Sequence, residues 1–199
     1  MVKNNAQYRI IEENCEIGDD TRIRNFCHIR SSSKIGTWCN IGNNVYIDSG
    51  VIIWDRVKIQ NGVNIYHGVE IGSDVFVGPS VTFTNDLHPR AFIWSDEKIS
   101  KTYVKDGVSI GANATIRCWI TLHHYSMIGS GSVVTKDVPP YCLLVWNPGK
   151  IVGLVKKDGT PVKDIFSYIL RNWDSQLEIS FEWETFSIPK TLLHKNLSY

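Results

Sequence analysis

The chain has 199 residues, 43% of them hydrophobic, enough to fill the core of one ordinary domain with a short appendage. Its 21 basic and 20 acidic residues leave a formal charge of +1 with no long basic run, so nothing electrostatic calls for nucleic acid or an anionic membrane, and a small-molecule partner fits better. The start, Met1-Val2-Lys3-Asn4-Asn5, lacks the apolar stretch of a signal peptide, and no apolar run approaches the roughly 18 residues that span a bilayer; a cytoplasmic protein is expected.

From Ile11 every sixth residue is aliphatic or aromatic: Ile17, Ile23, Ile29, Ile35, Ile41, Ile47, Ile53, Ile59, Ile65, Ile71, Val77 and Phe83. Four residues after each comes a small or β-branched one, running from Cys15, Thr21, Cys27, Ser33 and Cys39 into Val45, Val51, Val57, Val63, Val69, Val75 and Val81. A helix needs a repeat near 3.6 and a two-faced sheet a repeat of 2, so a strict six with a turn inside it indicates a stacked coil. Each hexad supplies one short strand and one corner, and three hexads close a triangular rung. The fold class is therefore all-β, a parallel β-helix, with glycines such as Gly18, Gly36, Gly42, Gly72 and Gly78 at its corners.

The five cysteines, Cys15, Cys27, Cys39, Cys118 and Cys142, form no C-x-x-C pair, and their odd number argues against a disulfide framework. Cys15, Cys27 and Cys39 fall on the repeat and read as small buried side chains.

The ladder stops after Phe83 and resumes in a new phase at Val104, Ile110, Ile116, Leu122, Ile128 and Val134. The intervening residues 84–103 are polar and contain Pro89, which predicts a loop ejected from the coil; a long loop interrupting so regular a scaffold is usually functional. After Val138-Pro139-Pro140 the period is lost, giving a β-helical body over 1–140 and a C-terminal cap and tail over 141–199, with a helix expected around Val162 to Arg171.

The hexads resemble the hexapeptide-repeat acyltransferases, whose coil is a left-handed parallel β-helix, and the resemblance covers roughly residues 8–155. Three blocks are more specific: Phe83-Thr84-Asn85-Asp86-Leu87-His88-Pro89-Arg90-Ala91, Ser109-Ile110-Gly111-Ala112-Asn113-Ala114-Thr115-Ile116, and Gly129-Ser130-Gly131-Ser132-Val133-Val134-Thr135-Lys136-Asp137-Val138-Pro139. These resemble the sugar-nucleotide N-acetyltransferases that acetylate 3-amino sugars carried on UDP or dTDP for cell-surface polysaccharide biosynthesis. The resemblance implies acetyl-CoA as co-substrate, no metal, and a homotrimer whose substrates lie in the groove between neighbouring prisms, an arrangement that flat-sided prisms with closed three-fold symmetry favour.

An amine attacking a thioester needs a neutral amine, a donor for the developing oxyanion and alignment of the two reactants. Asn85 matches the family position that holds the amine near the thioester, while Asp86 and His88 are the candidate bases in the same motif. Arg90 is a candidate phosphate contact; His28, Gln60, Asn61, Asn64 and Tyr66 are candidate sugar and nucleobase contacts. For the cofactor, Gly111, Ala112, Gly129 and Gly131 permit close approach of the pantetheine arm, with Lys136, Asn147 and Lys150 beside its phosphates.

The chain departs from the family at four corners, where Trp38, Trp54, Trp119 and Trp146 stand in place of the usual glycine or small residue, and His123-His124 replaces a common glycine-acidic pair. Drift on exposed corners is one explanation; glycine codons read as tryptophan is another, and the intact mass of natively expressed protein separates them. Three other functions compete: an O-acetyltransferase of another small acceptor, an inactive trimeric scaffold, and a γ-type carbonic anhydrase holding zinc with three histidines. For the last the spacing of His67, His88, His123 and His124 is poor.

Overall fold

The structure is a computed structural model that describes residues 8–93, 95–162, 168–172, 176–182 and 184–193. Each hexad forms a strand of two or three residues, and strands 18 residues apart stack in parallel, so that Ile29 lies opposite Ile47 and Ile47 opposite Ile65. Three faces result, and they enclose one left-handed parallel β-helix.

The first face carries Ile10–Ile11, His28–Ile29, Tyr46–Ile47, Asn64–Ile65, Thr82–Phe83, Thr115–Ile116 and Val133–Val134. The second carries Glu16–Ile17, Lys34–Ile35, Ile52–Ile53, Val69–Ile71, Thr102–Val104 and Thr121–Leu122. The third runs from Arg22–Ile23 through Asn40–Ile41, Lys58–Ile59, Phe76–Val77, Ser109–Ile110 and Met127–Ile128 to Cys142–Val145, where the antiparallel strand Lys150–Leu154 ends the stack.

The predicted inward residues are the core: Ile29, Ile41, Ile47, Ile65, Ile71, Val77, Phe83, Ile110, Ile116 and Leu122 are fully buried. In the first rungs the second inward position holds a small donor that bonds the corner of the next rung. Thr21 Oγ1 donates to the Gly36 carbonyl (2.6 Å), Ser33 Oγ to that of Asp48 (2.8 Å), Cys27 Sγ to that of Gly42 (2.9 Å) and Cys39 Sγ to that of Trp54 (3.0 Å). All five cysteines are free, and burial pushes the thiols of Cys27, Cys39 and Cys142 upward, so they stay protonated.

Phe83 pairs with Ile116, which makes the interrupted rung 33 residues long, the separation seen again between Ser73 and Asp106. The ladder resumes at Thr102, two residues before the expected resumption at Val104, because fully buried Thr102 pairs with Val69 on the rung below.

Beyond the coil, Ile169–Asn172, Gln176–Phe181 and Glu184–Pro189 form an antiparallel sheet. It corrects the helix expected over 162–171: residues 163–167 lie outside the described residues, and Ile169–Asn172 is a strand paired with Gln176–Phe181. The reason is a period of two, since Leu177, Ile179 and Phe181 alternate inward. Phe181 and Phe186 pack on Tyr141, with ring centroids 5.3 and 6.4 Å away, so this sheet covers the end of the coil.

Candidate active site

The loop leaves at the corner between the first and second faces, and both of its ends are pinned there. Thr84 N–H donates to the Ile116 carbonyl (3.0 Å), and Ser100 N–H donates to the Asn85 carbonyl (2.9 Å), so Asn85 belongs at once to the ladder and to the loop. Inside the loop Asp86 accepts from the His88 N–H (2.7 Å) and pairs with Lys98 Nζ (3.0 Å), which also donates to the His88 carbonyl (3.1 Å). The His88 N–H and Lys98 hold the Asp86 carboxyl below its ordinary range. Asp86 is therefore ionised at neutral pH, and its lone pairs are engaged in ordering the loop. The His88 side chain is exposed, as are Arg90 and, at the tip, Phe92.

Below the loop the same corner carries a charged column. Glu12 accepts from His28 Nε2 (2.7 Å) and Arg30 Nε (3.0 Å), and Arg30 Nη1 lies 3.4 Å from both Asp48 Oδ1 and the Tyr46 hydroxyl. The His28 bond, then the Ser31 N–H and Arg30, keep Glu12 below the usual carboxylate range; the Tyr46 hydroxyl and Glu12 raise Arg30. Arg30, Asp48, Ser49 and His67 line a cavity of about 490 Å³ that is covered from the loop by Asp96 and Ile99. None of Glu12, Arg30, Asp48 or Asp96 stood out in the sequence as a site residue, and His67 was weighed only as a poorly spaced zinc ligand. Reading every eighteenth residue would have found the first three, since Glu12, Arg30 and Asp48 occupy one corner position on successive rungs.

The first face itself presents His28, Tyr46, Asn64, Thr82 and Thr115 in register, a polar stripe one residue wide. Tyr66 flanks it on the loop side, with its ring 5.7 Å from that of Tyr46. The structure thus brings His28, Asn64, Tyr66, Asn85, Asp86, His88 and Arg90 to one face and its loop corner. Gln60 and Asn61 stand at the opposite edge of that face, where Asn61 Oδ1 accepts from the Asn43 N–H (2.8 Å) and stacks the rungs.

That opposite edge also carries most of the candidate cofactor residues. Gly111, Ala112, Gly129 and Gly131 occupy it on successive rungs, and the turn containing Asn147 lies on top, with Val133 N–H donating to the Trp146 carbonyl (3.1 Å). Gly111 has a reason inside the chain, because a Cβ there would lie 2.5 Å from the Ser130 nitrogen. Gly131, at φ +70° with open space around its Cα, is the position that leaves room for a ligand. Lys136 lies away from this group, at the loop corner, and Lys150 Nζ donates to the Thr191 carbonyl (2.7 Å). Trp38, Trp119 and Trp146 sit at φ +59°, +64° and +77°, a region that suits glycine; Trp54 instead continues the column of Gly36 and Gly72, donating from Nε1 to Glu70 (3.1 Å).

Histidines are spread over different corners: His67 at the loop corner, His88 in the loop, and His123 and His124 between the second and third faces. Among the described residues no three His, Cys, Asp or Glu side chains gather as a metal site.

Residues 14–49 and 50–85 each match the bacterial transferase hexapeptide, a run of six repeats. Over 59 residues the chain is 48% identical to the dTDP-3-amino-3,6-dideoxy-α-D-galactopyranose 3-N-acetyltransferase of Aneurinibacillus thermoaerophilus, a stretch of 30% of this chain and 31% of that protein. It is 34% identical over 79 residues to a putative acetyltransferase of Staphylococcus aureus, covering 38% of this chain and 40% of the other. The chain thus spans between about a third and two fifths of the length of these relatives. Among solved structures, the acetyltransferase domain of PglB from Neisseria gonorrhoeae superposes with a TM-score of 0.51 at 15% identity, over 73% of this chain and 55% of that one. A putative acetyltransferase of Bacillus cereus gives 0.50 at 20%, over 75% and 80%. These two likenesses establish a shared fold. With these hexads matched and the coil shared, the chain is similar to the bacterial transferase hexapeptide proteins over residues 14–85, and its fold is a left-handed parallel β-helix.

Proposed function

We propose that this chain moves an acetyl group from acetyl-CoA to the amine of a nucleotide-linked amino sugar, a 3-amino sugar on dTDP or UDP, for cell-surface polysaccharide biosynthesis in the cytoplasm. The observation that carries this reading is the 59-residue likeness to a 3-N-acetyltransferase acting on a dTDP-linked amino sugar. The acetyl-CoA complex of the PglB domain, which shares the fold, supports the choice of donor.

In this reading Asn85 orients the amine or donates to the oxyanion of the tetrahedral intermediate. The neutral amine adds to the thioester carbonyl, the C–N bond forms, the C–S bond breaks, CoA departs as the thiolate, and the amine proton passes through His88 or solvent to the departing sulfur. Asp86 serves by holding the loop, since Lys98 and the His88 N–H already occupy it.

The division of the site between two edges supports a homotrimer. Six extended residues span up to roughly 20 Å, and that is the path from Gln60 on the glycine edge to Tyr66 on the loop edge. A thioester lying beside Asn85 while its pantetheine follows a glycine edge is served more directly by the glycine edge of a second copy than by the chain's own.

The test is thiol release from acetyl-CoA against dTDP- and UDP-linked 3-amino sugars, with 3-hydroxy counterparts as controls. Amine-dependent release supports the reading. Release with the hydroxy sugars alone, or with none of the set, overturns it.

A further inference from the structure

The loop corner is electrostatically divided. Below the loop its charges pair with one another, Glu12 with His28 and Arg30, and Arg30 with Asp48. At and above the loop the corner carries Lys101, Arg117 and Lys136, and among the described residues none of the three has an ion pair. The acid beside them, Asp137, spends its Oδ1 on the Thr121 N–H (2.8 Å).

Arg117 is the informative member. It sits one rung above Thr84, since Phe83 lies opposite Ile116, and the Cys118 N–H donates to Thr84 Oγ1 (2.9 Å), which fixes this step of the backbone directly over the loop exit. Its Nε is enclosed and has no acceptor in the chain. A buried N–H without a partner costs free energy, and a bidentate oxyanion is the acceptor to which a guanidinium fork best donates.

We propose that Arg117 is the phosphate-binding residue of the acceptor site, taking the diphosphate of the nucleotide-linked substrate, with Lys101 and Lys136 supplying the surrounding positive field. The inference rests on the function proposed above and adds to it where the diphosphate lies. Two diphosphates are available, one in the acceptor and one in CoA, and distance separates them. Rungs are about 4.8 Å apart, so an anion on Arg117 lies within about one sugar ring of Asn85. In a nucleotide-linked 3-amino sugar only that ring separates the amine from the phosphate. In CoA the whole pantetheine arm intervenes, comparable to about five extended residues, or roughly 15 Å.

The test measures binding apart from turnover. Calorimetry of the assembled protein with dTDP, UDP and CoA compares wild type with Arg117→Gln and Arg117→Lys, and with Lys136→Gln as a surface variant that leaves the enclosed position untouched. Expected are loss of nucleoside diphosphate affinity by about tenfold or more in Arg117→Gln, partial retention in Arg117→Lys, a smaller loss in Lys136→Gln, and unchanged CoA affinity throughout. Weakened CoA binding with unchanged nucleotide binding would assign the anion to the cofactor and overturn the proposal, as would a wild type that binds neither dTDP nor UDP, or variants that bind both as wild type does. If the diphosphates bind through Arg117 but no amino sugar is acetylated, the proposed function fails while the anion site stands.

Discussion

Lys98 Nζ lies 3.0 Å from Asp86 Oδ2, joining the two limbs of the loop twelve residues apart in sequence. Because the same ammonium holds the His88 carbonyl, a single cation fixes the backbone of the motif that begins at Asn85.

The first prediction follows from the direction of the Asp86 shift. A carboxyl lowered on folding contributes stability that is present above its unfolded value and is lost as pH falls through the lower, folded one. Loop protection in hydrogen exchange should therefore be flat from pH 5 to 8, within the range where an ordinary carboxyl near 3.9 is ionised, and fall only in more acid solution. Lys98→Met should shift that loss toward higher pH while leaving exchange in the coil unchanged. Uniform loss of protection throughout the coil would show that the pair supports the whole fold.

The second concerns the loop as a unit. Ser100 N–H already bonds the Asn85 carbonyl, so the loop's ends are adjacent and a two-glycine link can replace residues 86–99. The shortened protein should keep the β-sheet circular dichroism and melt within a few degrees of wild type, since loop closure depends only weakly on length. Acetyl transfer should be lost. Failure of the shortened chain to fold would mean that the coil depends on the loop.

The third tests the tryptophan corners. Trp38 and Trp119 hold φ of +59° and +64° and are 66% and 70% exposed, so they are strained in backbone and recover little by burial. Replacing either with glycine should stabilise by about 0.5–1 kcal/mol, the left-handed penalty less the entropy of glycine, and raise the melting temperature by a few degrees. Unchanged or lower melting temperatures would show that the rings gain more from the corner than the backbone loses.

The coil was legible in the sequence because one physical requirement, an inward side chain every sixth residue, recurs at each strand without depending on distant contacts. Even the switch from Cys, Ser and Thr to Val at the second inward position carried meaning: the early residues both fill space and donate to corner carbonyls, as Thr21 does to Gly36. The loop was legible as an interruption. The charged column was not, because Glu12, Arg30 and Asp48 meet only when rungs stack at 18 residues, a period that hydrophobic patterning does not display. Arg117 was hidden for a related reason, since its significance lies in lacking a partner, and partners exist only in three dimensions. The end of the segment 162–171 was misread as a helix because the alternation of the sheet it joins emerges only once Leu177, Ile179 and Phe181 are seen packing against the end of the coil.

The last prediction separates orientation from base catalysis at the loop exit. Asn85 is bonded through its carbonyl to Ser100 and follows directly on Thr84, whose N–H is held by Ile116, so its side chain is carried on backbone fixed from both sides. If its amide aligns the amine or receives the oxyanion, Asn85→Ala should cost about 2–4 kcal/mol, or 10²- to 10³-fold in kcat/KM. The exposed His88 side chain has no such anchorage, although its backbone is tied to Asp86 and Lys98. A base at His88 requires His88→Ala to lose about 10²-fold or more and to remove an acidic limb from the pH–rate profile. An orienting mechanism leaves that limb in place, because it then belongs to the titration of the substrate amine, and comparing sugars whose amines differ in basicity moves the limb with the substrate. Wild-type rates for both variants, at saturating acetyl-CoA and with the assembly intact, would remove Asn85 and His88 from the chemistry and leave the loop a purely structural role.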